Sequence, residues 1–325
     1  MTTTTERTDR PSSGSPEGGR SPVRARRRPL TLRQRESRAG LTLISPTLAV
    51  VVAVVVLPIV WTIVLAFQRV RLATLRRTGL FGELTMANFT RVLDYPGFWD
   101  TLWRTVIYSI SSTVSSILVG LVAALVVRDA FRGRTFVRAS MLLPYVAPVV
   151  AVAFVWQVML DPQLGFVNAW GTGVLGWDEP IPFLSQDSTA LITVIVFEAW
   201  RYFPFAFLFL LARLQAVPRE LEEASRVDGA TPTQRFRHIV LPQLMPVIAL
   251  LAVLRFIMTF NKFDDVYLLT GGAAGTEVVS IRVYQFLTAQ TDIGAAAAQA
   301  VVLAAVLVVF VVVYLRFFGS RRAEG

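Results

Sequence analysis

Six stretches of this 325-residue chain are long and apolar enough to cross a bilayer, and no other feature limits the possible folds so tightly. A hydrocarbon core of roughly 30 Å needs about 20 helical residues, and lipid offers the backbone no hydrogen-bond partner, so such segments must be helices. The stretches run over residues 41–67, 102–127, 136–160, 189–214, 239–260 and 293–318. Pro46, Pro58, Pro144, Pro148, Pro204, Pro242 and Pro246 fall inside or at the start of them. Within a bundle these prolines read as kinks or helix starts, because neighbouring helices can satisfy the freed carbonyls. The fold class expected is all-α integral membrane, with six transmembrane helices.

Composition narrows the chemistry. Hydrophobic residues make up 54% of the chain and charged residues 17%, against about 25% charged in soluble domains. There is no cysteine, one histidine (His238) and one lysine (Lys262). Disulfides, thiolate nucleophiles, Cys/His zinc sites and any Ser-His-Asp triad away from His238 are therefore excluded, and no metal site is expected. A phosphate loop ending Gly-Lys-Ser/Thr is also excluded, since the only lysine lies in Asn261-Lys262-Phe263. The chain has no catalytic residues to nominate and no cofactor of its own, so ATP-driven work has to use a partner's ATPase.

The formal charge is +10, and every basic residue but Lys262 is arginine. In a membrane protein the distribution matters more than the total. Twenty-two Arg/Lys lie in residues 1–40, 128–138, 213–237 and the segment from Arg316, whereas seven lie in the alternate loops. The positive-inside rule then places both termini in the cytoplasm. The first outer loop, with Arg69, Arg71, Arg76, Arg77 and Arg91, runs against the trend. Residues 1–40 are rich in Thr, Ser, Pro, Gly and Arg and read as a disordered cytoplasmic tail. The apolar run after it is too long for a signal-peptide core, so an uncleaved anchor is expected. The expected layout is a tail (1–40), a first transmembrane helix (41–68), an extracytoplasmic loop (69–100), a transmembrane core (101–318) with a cytoplasmic loop at 215–238, and a tail (319–325).

That cytoplasmic loop is the most informative stretch. Pro218 suits the first turn of a helix, and Glu220, Glu222 and Glu223 follow where the positive end of the helix dipole favours carboxylates. Gly229 after Asp228 can take the left-handed position that ends this helix, and Thr231-Pro232 supplies the cap and first residue of a second. Leu241-Pro242 then starts the next span. The pattern predicts a helix, a glycine hinge and a second helix. Such a protrusion is either a well-capped loop with no partner or a docking element.

The residues themselves resemble those of the permease subunits of bacterial ABC importers. The matching positions are Glu223-Ala224-Ser225, Asp228-Gly229-Ala230, Ile239 and Leu241-Pro242, with Ser225 standing where the family has alanine. The resemblance continues over nearly the whole chain after residue 40 and is nearest the maltose/glycerol-phosphate type of carbohydrate permease. It rests on Leu143-Pro144, Pro148, Trp156, Asp161-Pro162, Trp200, Pro204-Phe205, Phe263-Asp264, Tyr267 to Gly272 and Gly294. It implies a five-helix type I importer core plus an N-terminal helix, in the bacterial inner membrane. It assigns ATPase coupling to Glu223 through Ala230 with Ile239, Leu241 and Pro242. The implied partners are a second homologous permease, a cytoplasmic ATPase dimer carrying ATP and Mg, and an extracytoplasmic solute-binding protein that delivers a sugar or oligosaccharide. A glycerol-phosphate or other polyol is the alternative cargo. In a different class, an ATP-independent secondary transporter would show inverted repeats, and none is visible.

Charged groups inside spans are costly and so are candidates for the substrate path. Glu198 and Arg201 lie three residues apart on the fourth span, a spacing that lets them pair, either structurally or along the path. Arg255 precedes Asn261 by about two turns. Trp156, Trp200, Tyr202, Asn261 and Asp264 are residue types that recognise sugars, although Trp and Tyr at such depth also serve as interfacial anchors.

Overall fold

A computed structural model of the protein describes residues 32–78 and 82–319. In chain order the helices are α1 (Leu32–Val51), α2 (Leu57–Ala66), α3 (Leu75–Thr78), α4 (Ala87–Leu93), α5 (Phe98–Val126), α6 (Arg134–Val146), α7 (Val149–Met159), α8 (Phe166–Gly173) and α9 (Asp187–Gln215). They continue with α10 (Arg219–Val227), α11 (Pro232–Arg235), α12 (Leu241–Phe260), α13 (Asp264–Thr270), α14 (Val279–Thr288) and α15 (Ile293–Gly319). Among the described residues the only β pairing is two isolated bridges, Gln68 with Leu84 and Arg71 with Asp292.

The chain divides at Leu57–Pro58 into two compact units. The first contains α1 and a π-helical turn, Val52–Val56, on the helical segment Thr42–Ala66 that is long and apolar enough to span. Residues 1–31 of the expected tail lie outside the described residues, as do residues 320–325. The rest of that expected tail is helical, because α1 begins at Leu32; the run Leu32-Arg33-Gln34-Arg35-Glu36 consists of good helix formers.

In the second unit α5 and α9 pack along one another and form its centre. Lipid supplies no hydrophobic drive between helices, so close approach through small residues has to hold such a pair. Thr105, Ser109, Ser112, Ser116 and Gly120 form one buried stripe of α5. A Cβ on Gly120 would lie 2.8 Å from both Ala206 Cβ and Phe207 N. Thr105, Ser109 and Ser116 return their hydroxyls to carbonyls of their own helix, whereas the buried Ser112 hydroxyl has no partner. Toward the α10 end, Phe207, Leu210, Leu214, Leu244 and Leu251 form one apolar cluster. Tyr108, Val194, Phe197, Val266 and Ile281 form another toward the opposite end.

Among the described residues five helices are long and apolar enough to span, and α6 with α7 passes the same test together as a bent pair. The stretch expected as the third span, 136–160, is α6 and α7, bent by 94°, more than a mere kink. Pro148 lacks an N–H and pushes Ala147 into the extended region (ψ 142°), which ends α6. The carbonyl of Ala147 accepts a 3.1 Å bond from Arg201 Nη2 of α9, so the break is satisfied by a side chain. Leu241-Pro242, expected at the start of the next span, lies inside a longer helix. The helix runs unbroken from Pro232 to Phe260. A π-helical turn, Phe236–Val240, lets Leu241 N–H reach the Phe236 carbonyl just before the proline that can donate nothing.

Opposite α10, the loops are built rather than slack. Asp161 accepts from the backbone N–H groups of Gln163 and Leu164, both at 2.8 Å, and these bonds hold its carboxyl below the usual range. Gly271, at φ +64°, takes the left-handed backbone that ends α13. Two of the five arginines that oppose the charge rule are explained here. Arg91 and Arg71 lie 2.5 and 3.6 Å from the buried carboxylate of Asp292.

Candidate functional site

Two places bring the singled-out residues together. The first is loop 215–238, where local chemistry produces the expected form. Helix α10 starts after Pro218 with Glu220 and Glu222 in its first turn. It closes with a double C-terminal lock: Gly229 N–H bonds the Arg226 carbonyl at 3.1 Å, and Ala230 N–H bonds the Ser225 carbonyl at 2.9 Å. This closure requires the left-handed backbone of Gly229, at φ +78°. Thr231 and Gln234 then cap α11 reciprocally, with Gln234 N–H donating to Thr231 Oγ1 and Thr231 N–H to Gln234 Oε1.

The loop is tied to the bundle through Glu222, which pairs with Arg128 beyond the end of α5. Glu223, Ala224, Asp228 and Gly229 remain exposed. So do two apolar side chains, Leu221 and Val227, the latter 89% exposed. Ser225 turns its hydroxyl back to the Glu222 carbonyl and behaves as a small helix residue. Ala230, Ile239 and Leu241 are half-buried and Pro242 exposed where the helix enters the bundle. His238 Nδ1 sits 3.0 Å from the Gln234 carbonyl of its own helix.

The second place is a buried charge cluster where α9, α12 and α13 meet. The expected Glu198–Arg201 pair does not form. Glu198 Oε1 instead accepts from Arg255 Nη2 at 2.8 Å and from Thr259 Oγ1 at 3.3 Å, both on α12. Arg201 is drawn the other way, to the Ala147 carbonyl and to Asp265, whose Oδ1 lies 3.8 Å from its Nε. Lys262 Nζ approaches Asp265 Oδ2 at 3.3 Å and also donates to the Tyr202 hydroxyl. The Tyr202 ring lies 4.2 Å from Lys262 and 4.4 Å from the Arg255 guanidinium, a cation–π arrangement on both counts. Interhelical partners win over the neighbour three residues away because each bond to another helix also closes the bundle.

Asp265 and Lys262 belong to this cluster, and sequence reasoning did not select them as site residues. The available signal was the pair Asp264-Asp265 opening a short helix: one carboxylate faces outward, and the other, Asp265, is wholly buried. The remaining candidates separate. Trp156 and Trp200 join Phe197 in an aromatic cluster, with centroids 5.6 Å apart for the two indoles and 5.2 Å for Trp156 and Phe197. Asn261 and Asp264 are exposed at the end of α12 and the start of α13, and Asn261 Nδ2 returns to the Ile257 carbonyl. Glu198, Arg201 and Arg255 are locked in the buried cluster. Among the described residues no group of three His, Asp or Glu side chains is placed to hold a metal ion. The arrangement comprises an aromatic cluster at Trp156, Phe197 and Trp200, a buried charge cluster and a protruding loop.

Residues 116–324 match the family described as binding-protein-dependent transport system inner membrane component. The inner membrane ABC transporter permease protein YcjO of Escherichia coli is 36% identical over 277 residues, covering 85% of this chain and 92% of that protein. The trehalose/maltose transport system permease protein MalF of Thermococcus litoralis is 32% identical over 292 residues, covering 90% and 97%. A solved bacterial ABC transporter involved in the import of the acidic polysaccharide alginate has a chain of the same fold, with a TM-score of 0.75 at 22% identity over 90% of this chain and 98% of that one.

Proposed function

The chain belongs to the family of binding-protein-dependent transport inner membrane components, and from that premise we propose that it forms part of the membrane path for a sugar. It is a permease subunit of an ABC importer, a transport component whose ATP is hydrolysed on a separate subunit. The observation that carries the fuller reading is loop 215–238. A helix locked at Gly229, held to the bundle by Arg128–Glu222, and presenting Leu221, Val227 and the carboxylates of Glu220, Glu223 and Asp228 to solvent is built to be gripped.

In this reading α10 is the coupling helix and docks on a cytoplasmic ATPase dimer that binds ATP and Mg. A second homologous permease completes the path, and an extracytoplasmic binding protein delivers the cargo. Closure of the ATPase dimer moves α10. Because helix Pro232–Phe260 is continuous from the loop into the bundle, that movement passes directly to Arg255 and hence to Glu198 on α9. The buried cluster lets α9, α12 and α13 move as one body. A sugar cargo is supported by the relative named for trehalose and maltose and by the aromatic pair Trp156–Trp200.

The test is co-purification from the native membrane in mild detergent, followed by reconstitution with labelled sugars. An ATPase, a second permease and a binding protein should co-purify, and uptake should require ATP on the ATPase side. Uptake that persists without ATP and follows a proton or sodium gradient would replace this reading with a secondary transporter. ATP-dependent uptake of a polyol phosphate but no sugar would keep the importer and change its cargo.

A further inference from the structure

The arginines at the α10 end of the bundle do more than mark orientation. The chain leaves α5 at Val126, turns, and resumes as α6 at Arg134, while α9 ends beside this turn at Gln215. Between the three helix ends lies a cavity of about 330 Å³ lined by Arg128, Arg134, Arg138, Leu214, Gln215 and Val217. None of these six residues is acidic. Arg134 donates through Nε to the Val127 carbonyl at 2.9 Å and through Nη2 to the Arg128 carbonyl at 2.7 Å. Arg138 Nη2 reaches the same Val127 carbonyl at 3.1 Å. These bonds cap the end of α5 but use only one side of each guanidinium. Arg138 Nε is buried without an acceptor, and among the described residues the only carboxylate paired with the three arginines is Glu222, held by Arg128.

Two like charges at i, i+4, both drawn toward one carbonyl, repel each other and leave positive potential in the cavity. An anion with several oxygens relieves this. The site lies at the ends of the apolar helices α5 and α9, and basic pockets between transmembrane helices are suited to phospholipid headgroups. Leu118, Val122 and Val126, each more than half exposed, form an apolar stripe along α5 down to the turn that carries Arg128.

We propose that this cavity binds the phosphate of an anionic phospholipid, with Arg134 and Arg138 as its donors and the Leu118–Val126 stripe against its acyl chains. A bound headgroup braces Arg128, which in turn holds Glu222 of α10. The proposal does not depend on the cargo.

Native mass spectrometry of the full chain with its co-purifying subunits tests it, using phosphatidylglycerol, phosphatidylcholine and inorganic phosphate in turn. The wild type should retain phosphatidylglycerol over phosphatidylcholine. Arg134→Gln and Arg138→Gln should each weaken that retention about tenfold, the loss of one charge-assisted hydrogen bond. Arg76→Gln, exposed on α3, should leave it unchanged. Each single variant keeps one arginine on the Val127 carbonyl. Should a glutamine variant still fail to fold, Arg138→Lys retains the charge, loses the planar fork, and should show a partial loss. Equal retention of both lipids, or wild-type retention in variants that fold, overturns the proposal. Displacement of the lipid by millimolar inorganic phosphate, with no preference among lipids, overturns the lipid assignment in favour of a free-phosphate site.

Discussion

At the scale of single residues, two positions separate conformational from electrostatic necessity. No atom lies within 4 Å of a Cβ built on Gly229, so its requirement is the backbone at φ +78° and nothing else. A β-branched residue there costs more than the about 1–2 kcal/mol of an ordinary left-handed residue, whereas Asn tolerates it. Gly229→Val should assemble with its partners yet hydrolyse ATP without transport, and Gly229→Asn should retain most transport. Normal transport by an assembled Gly229→Val complex would remove α10 from the coupling role. The Glu198–Arg255 pair is an electrostatic case, with both side chains at most 1% exposed. Arg255→Met leaves the buried Glu198 carboxylate without its cation and should cost about 3–5 kcal/mol, while adding Glu198→Gln should recover much of it. The thermal midpoint in detergent reads this directly: the single variant should melt lowest and the double variant between it and wild type. A single variant as stable as wild type would mean that Glu198 is not held as an anion.

At the scale of elements, the helix pair α5–α9 depends on a contact that only glycine allows. Gly120→Ala gains helix propensity of about 1 kcal/mol, yet its Cβ meets the Ala206 methyl and the Phe203 and Phe207 backbone at 2.8–2.9 Å, none of which can swing aside. The variant should therefore melt below wild type, whereas Gly173→Ala in α8, with nothing within 4 Å, should match or slightly exceed it. If Gly120→Ala is the more stable of the two, the helices are held by something other than close approach. The same elements show how far the sequence could be read. The apolar runs and the cap chemistry around Gly229 and Thr231 are local signals, so the spans and the helix–glycine–helix loop were legible. The 94° bend at Ala147–Pro148 was not, because a proline in a span also marks a mere kink, and the bend depends on an arginine 54 residues away. The partners in the charge cluster were hidden for the same reason. Spacing on one helix showed that Glu198 and Arg201 could meet, but only the packing of α12 and α13 decides that each finds a better partner elsewhere.

At the scale of the whole molecule, arginines gather at one end of the bundle, while at the other Arg71 and Arg91 are absorbed by Asp292. That asymmetry predicts orientation, and the absence of cysteine makes the prediction directly measurable, since the wild-type chain is already a thiol-free background. Val227, in loop 215–238, and Leu164, in the loop between α7 and α8, are 89% and 87% exposed. With Leu164→Cys, a membrane-impermeant thiol reagent should label intact cells. With Val227→Cys, labelling should appear only after the membrane is opened, and should fall again when the ATPase subunit is present and seated on α10. The reverse pattern would put loop 215–238 outside the cell, where no ATP-hydrolysing partner could reach it. Cytoplasmic labelling that the ATPase leaves untouched would keep the orientation but move the docking surface away from Val227. Protection by the ATPase would link a charge distribution spread over the whole chain to one exposed side chain, and would show that energy enters through α10.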